Sequence, residues 1–423
     1  MKRFRFLSLP HYERDVWLLS GSSALIAGGW LGMMSLLKVL YVLRLGFGPE
    51  FVGTLYATGS LGFMLASLPG GALGGRFGAR RVMIIGAVLN IIGMAILPFT
   101  EAVPPSLRTF WPLLVQVISS VGWSLVMVNQ IAAMMAFTTM ENRRGAYAVR
   151  EALAGFGIFA GVLLGGILPG LFAGLIGSTV DHPTPYRYAL WVPVVTAAAG
   201  LVPLLMIRPI EVVRSSTRGR KEMPPLLPLL LLAAAGFLNN GAVSTCRAFG
   251  TAYLDRVFVL PPSVIGAVSS IGMALAVLCA LSGPRLARRH RRGSGQVMIV
   301  ASFGMVASLL VIGLGPHWSI VAVGIIGVLA LAAMWMPAYQ VLQMELATPE
   351  WRAVIAGAAS TSMSLGFGMM SLSGGYIVAA VGYQQLFLIA AVLALLSGLV
   401  MRYATRQVVT QQPGPATPDG TSV

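Results

Sequence analysis

The sequence predicts an all-α integral membrane protein of twelve transmembrane helices, arranged as two pseudo-symmetric six-helix bundles. Three observations carry that expectation. Hydrophobic residues fill 57% of the 423 positions and charged residues only 10%. A soluble chain carries roughly 25% charged residues, so apolar side chains here must face lipid. Apolar runs of spanning length, about 20 residues, recur along the whole chain. The basic residues gather in every second connection between those runs, which is how membrane topology is encoded.

The runs follow in order. Val16–Leu37, Phe51–Gly75, Val82–Thr100, Thr109–Met140, Ala152–Val180 and Tyr188–Ile207 give six spans. Met223–Cys246 and Val257–Pro284 give two more. Gly293–Met344 is double length, split by the loop signal Gly315-Pro316-His317-Trp318, and Ala353–Met401 is split at Gly382-Tyr383. The total is twelve. Only Arg44, Arg108, Arg187 and Arg256 fall on the sparsely charged side. The positive-inside rule therefore puts both termini in the cytoplasm of a cell with the chain in its cytoplasmic (inner) membrane. Met1 to Asp15 is basic and lacks a short apolar region with a cleavage site, so it reads as a retained cytoplasmic segment.

The expected organisation is a first bundle over 1–207, a basic cytoplasmic linker over 208–224, a second bundle over 225–406 and a disordered tail over 407–423. The halves echo each other at a shift of about 210 residues. Ser35-Leu36-Leu37-Lys38 aligns with Ser244-Thr245-Cys246-Arg247, and Gly71 to Arg76 with Gly283 to Arg288. Glu141-Asn142-Arg143 aligns with Glu350-Trp351-Arg352. Such duplication marks secondary transporters, whose solute site lies between the repeats near mid-membrane.

The connection after the second span reads Gly71-Ala72-Leu73-Gly74-Gly75-Arg76-Phe77-Gly78-Ala79-Arg80-Arg81. It resembles the loop G-x-L-a-D-R-x-G-R-[RK]-x of the major facilitator superfamily, matching at Gly71, Leu73, Arg76, Gly78 and Arg81. Gly75 stands where the family has Asp. The resemblance implies the superfamily's two-bundle fold, alternating access, and a cytoplasmic gate here formed by Gly71, Arg76, Gly78, Arg81, Arg288, Arg143, Arg352 and Glu151. The alternative is that these arginines only set topology. Gly157, Gly161 and Gly165 in span five resemble the superfamily's antiporter pattern, with Val162 in place of its Pro. Glycines at that spacing allow close helix approach. Ile118 stands where drug–proton antiporters carry an Arg in span four. These departures leave the subfamily open.

Ionisable groups inside spans are costly and mark function by default. Lys38 and Arg247 are related by the repeat, and two cations facing one cavity would hold an anion. The arrangement is similar to that of the superfamily's organic-phosphate exchangers. The opposing reading is snorkelling or a structural ion pair, since Lys38 lies about 9 Å and Arg247 about 12 Å below the outer interface. Asn240 and Ser244 share a helix face with Arg247. Asn129-Gln130 and Tyr339-Gln340 align across the repeat, and would either bind solute or tie helices together. Glu345 is the remaining candidate for proton coupling.

No G-x-x-x-x-G-K-[ST] loop is present, so ATP is not the expected energy source. Cys246 and Cys279 show no disulfide or metal spacing. No cofactor, metal or catalytic residue is expected, and the chain is not read as an enzyme. The expected partners are a small-molecule solute and the lipid bilayer, with no nucleic acid and a monomeric state. The expected function is a secondary active or facilitative transporter, with a small organic anion as the preferred solute. The alternatives are efflux of amphipathic, drug-like compounds and a non-transporting receptor or scaffold of the same fold.

Overall fold

The computed structural model describes residues 12–139, 142–210, 226–289, 293–346 and 352–411. It is helical throughout these residues, in twelve membrane-scale elements. The first half holds α1 (Arg14–Arg44), α2 (Pro49–Phe77), α3 (Ala79–Glu101), α4 (Phe110–Ala136), α5 (Arg143–Ile176) and α6 (Pro183–Met206). The second holds α7 (Leu226–Arg256), α8 (Pro262–Arg289), α9 (Gly293–Leu314), α10 (Trp318–Leu346), α11 (Arg352–Val381) and α12 (Tyr383–Gln411). Eleven stretches of these pass as single spans by length and apolarity among the described residues, and α2, bent by 41° just before Pro69, makes the twelfth.

Local chemistry sets the boundaries. Pro49, Pro183 and Pro262 open their helices, where the missing N–H has no helical partner to lose. Gly78 turns α2 into α3 with φ +91°, a conformation a side chain would strain. The break between α9 and α10 falls at 315–317 and that between α11 and α12 at Gly382, as the loop signals predict. α12 continues to Gln411, beyond the expected end of the second bundle at Arg406. The reason is compositional: no Gly or Pro occurs between Arg406 and Pro413. The connection 211–225 and the tail from 412 lie outside the described residues.

Every second connection lies at one end of the bundle. One end carries the turns 45–48, 177–182 and 257–261 and is called the loop end. The other carries the described termini and is called the termini end. At the termini end, buried Asp15 at the start of α1 accepts bonds from the Arg208 N–H (3.0 Å) and Nε (2.7 Å). This fastens the first helix to the chain leaving α6.

Within the first half, α1 and α5 approach to backbone contact. A Cβ at Gly28 would sit 2.8 Å from the Gly157 carbonyl oxygen, and one at Gly32 2.9 Å from the Gly161 Cα. Residues Gly28–Met34 of α1 form a π-helix, a rare geometry that concentrates at functional sites. Between the halves, Gly166 of α5 meets Gly266 of α8 with the same closeness. The span-five glycines thus serve helix packing on both sides.

Candidate functional site

Arg247 stands about two-thirds of the way along α7, among the buried neighbours Cys246 and Ala248, yet its own side chain is exposed. Its guanidinium lies within charge-interaction range of Tyr56, which belongs to α2 of the other half. The space it reaches is therefore the gap between the halves. Tyr56 also stacks obliquely near Phe367 of α11, at 6.2 Å between centroids.

Lys38 does not share that gap. It is 5% exposed and turns into the first half, where Nζ donates to Gln116 Oε1 of α4 at 3.0 Å. The ammonium lies 4.8 Å from the Trp30 ring centroid and 4.6 Å from that of Tyr56. Tyr56 is thus the common neighbour of both cations, and the snorkelling geometry is not adopted by Lys38. Among the described residues, no carboxylate pairs with Lys38 or Arg247. Two ring faces contribute on the order of 2 kcal/mol each when desolvated. Burying an ion costs several kcal/mol even after relaxation, about the same or more. The protein groups that meet the Lys38 ammonium are thus two ring faces and one amide oxygen, none of them anionic.

Among the other polar residues singled out in the spans, Asn129, Gln130 and Asn240 bond between helices. Asn129 Nδ2 donates to Gly70 O (3.0 Å) and Leu125 O (2.9 Å), joining α4 to α2. Gln130 is hydrogen-bonded to Ser23 of α1 and accepts from Arg150 Nη1 of α5 at 2.6 Å. Asn240 donates to Met363 O at 2.8 Å, joining α7 to α11. Ser244 is buried and donates to Gly241 O of its own helix. Tyr339 is buried, stacked on Trp335 and set against Gly236 of α7. Gln340 is exposed.

At the termini end, Gly71, Arg76 and Arg81 are exposed, and Arg76 lies over the Phe77 ring. Arg80, between them, donates to Leu205 O at the last turn of α6 (2.6 Å). Arg143 donates to Met135 O in the last turn of α4 and to Thr138 O just beyond it. Both place a cation at the negative end of a helix dipole. Glu151 is exposed and paired with buried Arg150. Arg288, Arg352 and Glu345 lie on α8, α11 and α10, and their side chains are outside the described residues. Arg80→Ala removes one C-terminal helix bond and is expected to cost about 1 kcal/mol. The thermal unfolding midpoint of the purified chain should fall by a few degrees or less.

The halves close on each other at the loop end. Arg44, the last residue of α1, makes a bidentate pair with Asp255 of α7, at 2.7 and 2.6 Å. Arg44 Nε also donates to Val180 O, and Arg256 to Leu43 O at 2.7 Å. Beneath these bonds, Val39, Val42, Phe51 and Leu55 pack with Phe249, Ala252 and Met370 of the other half. Contacts between α2 and α11 run from Pro49 and Glu50 against Gly375 to Ser60 Oγ donating to Ser364 O at 2.6 Å. Beyond Ser60 toward the termini end, Leu61, Leu65 and Leu73 of α2 are exposed.

The Arg44–Asp255 pair, Tyr56 and Gln116 did not stand out in the sequence. For the pair, a signal was present. The two residues are 211 positions apart, two more than the shift that pairs Ser35–Lys38 with Ser244–Arg247 on the same two helices, so the repeat puts both near the loop-end limits of α1 and α7. Tyr56 and Gln116 are neutral residues in apolar runs and carry no such mark.

A family model described as Major Facilitator Superfamily matches residues 19–371. Among curated proteins, none matches the chain. Solved structures share its fold at low identity. A bacterial homolog of the human lysosomal transporter Spinster, inward-facing and unoccupied, superposes with TM-score 0.74 at 15% identity, covering 97% of this chain and 100% of that one. A point mutant of the nucleoside transporter NupG gives 0.71 at 14%, covering 92% and 98%. The human organic anion transporter MFSD10 (TETRAN) gives 0.65 at 16%, covering 92% and 99%.

Proposed function

Because the chain belongs to the Major Facilitator Superfamily, we propose that it is a secondary active or facilitative transporter that carries a small organic anion by alternating access. The observation that carries this reading is Arg247: an exposed guanidinium within a span, facing the gap between the halves and without a carboxylate partner among the described residues. A guanidinium binds carboxylate or phosphate in a bidentate way. Lys38, behind Tyr56, adds positive potential without touching the solute. The organic anion transporter among the structural neighbours is consistent with this class, although its likeness concerns fold.

With the termini end in the cytoplasm of the cell, as the basic connections indicate, the gap opens inward and the loop end is sealed outward. The reading places the chain in the cytoplasmic membrane, acting as a monomer. Rocking of the halves about Arg247 would expose the site to each side in turn.

The test is uptake into proteoliposomes of dicarboxylates, phosphomonoesters and neutral amphipathic compounds. Wild type is expected to move at least one anion. Arg247→Ala should lower that uptake at least tenfold, the loss of about 1.4 kcal/mol or more of binding. Arg247→Lys should keep part of it. Undiminished anion uptake by Arg247→Ala would overturn the site. Transport of neutral amphipathic compounds alone would turn the reading to efflux.

A further inference from the structure

Lys38 lines a small cavity inside the first half, and nothing in the alternating-access scheme uses it. Its walls are Trp30, Met34 and Lys38 of α1, Leu55 of α2, Met94 and Leu97 of α3, and Pro112, Val115, Gln116 and Ser119 of α4. The space is about 10 Å³, room for a single water-sized particle.

We infer that this cavity binds one small inorganic anion of chloride size, held by the Lys38 ammonium. Three observations converge on that ligand. The ammonium has three donors, and the protein supplies one hydrogen-bond acceptor, Gln116 Oε1. Ser119 Oγ is fully buried on the same wall and has no partner, although buried hydroxyls are nearly always satisfied. The remaining walls are apolar or aromatic, with no carboxylate among them. Positive charge excludes a cation, and size excludes a carboxylate or phosphate. Water would satisfy Ser119 but bring no negative charge to the Lys38 ammonium. A halide answers both, and apolar walls favour one that sheds its hydration readily, bromide or chloride over fluoride. The inference is independent of whether Arg247 holds the transported solute.

Trp30, 7% exposed and in contact with the ammonium, is a built-in reporter. Bromide quenches indole fluorescence on contact. The experiment titrates bromide into the purified full-length chain at constant ionic strength, with gluconate as the balancing anion. The expected result is a saturable quenching component that chloride displaces. It should vanish in Trp30→Phe and in Lys38→Met, and its midpoint should rise at least about threefold in Ser119→Ala. Where Lys38→Met fails to fold, Ser119→Ala and the chloride displacement decide the question. Quenching that grows linearly with bromide, or a saturable component indifferent to Ser119 and to chloride, would overturn the inference and leave the cavity to water.

Discussion

Asp255→Asn is expected to open the loop end about a hundredfold more often. The pair it breaks is bidentate, and the Asp255 side chain is 2% exposed against 14% for Arg44. Removing one member of a buried pair costs about 3–5 kcal/mol, because the other charge stays behind unpaired. Arg44 keeps Val180 O as an acceptor and some contact with water, which places the cost near the lower end, about 3 kcal/mol. That cost falls only on the arrangement closed at the loop end, since parted halves leave both charges hydrated. About 1.4 kcal/mol is a factor of ten in a population ratio. The readout is alkylation of Ala252→Cys, a position fully buried in the apolar seal, in a chain whose Cys246 and Cys279 are replaced by alanine. Labelling should quicken about a hundredfold with Asp255→Asn. Exchanging the charges, Arg44→Asp with Asp255→Arg, should recover a good part of the protection. Unchanged labelling would mean that the apolar seal alone holds the loop end shut.

Gly161→Leu should yield no monodisperse protein after extraction and size exclusion. A Cβ at Gly161 would meet the Gly28 carbonyl and come within 3.1 Å of the Gly32 Cα. These are backbone atoms of α1, so no side chain can turn aside. Overpacking a core commonly costs about 1–3 kcal/mol, but here four carbons must fit between two backbones. α1 and α5 would have to separate, breaking the approach at Gly157 and Gly165 as well. The matched control is Gly174→Leu. Gly174 lies later on α5, exposed and with nothing near its Cβ position, and that variant should extract like wild type. Normal yield from Gly161→Leu would show that the helices have room to part.

The spans were legible because each is an apolar run longer than any loop can disguise, and the breaks at Gly315 and Gly382 because glycine punctuates them. The glycines of α5 were legible for the same reason: their spacing has one physical use. Side-chain direction was not. Lys38 and Arg247 are equivalent in the repeat, yet one turns into its own bundle and the other into the gap. Gln116 of α4, the Tyr56 ring of α2 and the Trp30 ring of α1 itself decide that difference, and Gln116 lies 78 residues from Lys38. The π-helical turn at Gly28–Met34 also changes the angular register of α1, so counting residues along an ideal helix cannot place Lys38. Nor does an alignment of Asn129 with Tyr339 tell whether the amide meets a solute or Gly70 O.

The Arg44–Asp255 contact joins residues near the same ends of equivalent helices, two positions out of register with the Lys38–Arg247 alignment. In an assembly of two first halves, two Arg44 side chains would approach the seam with no Asp255 to receive either, and in one of two second halves two Asp255 carboxylates would lack an Arg44. Like charges there would repel where the natural chain attracts. The two bundles are thus made unlike near the loop ends of α1 and α7, where the repeat alone would make them alike. A fragment such as 1–210, expressed without its mate, should fail to form a stable homodimer even though it carries a face shaped for a near-copy of itself. The sign of one charge distinguishes self from partner.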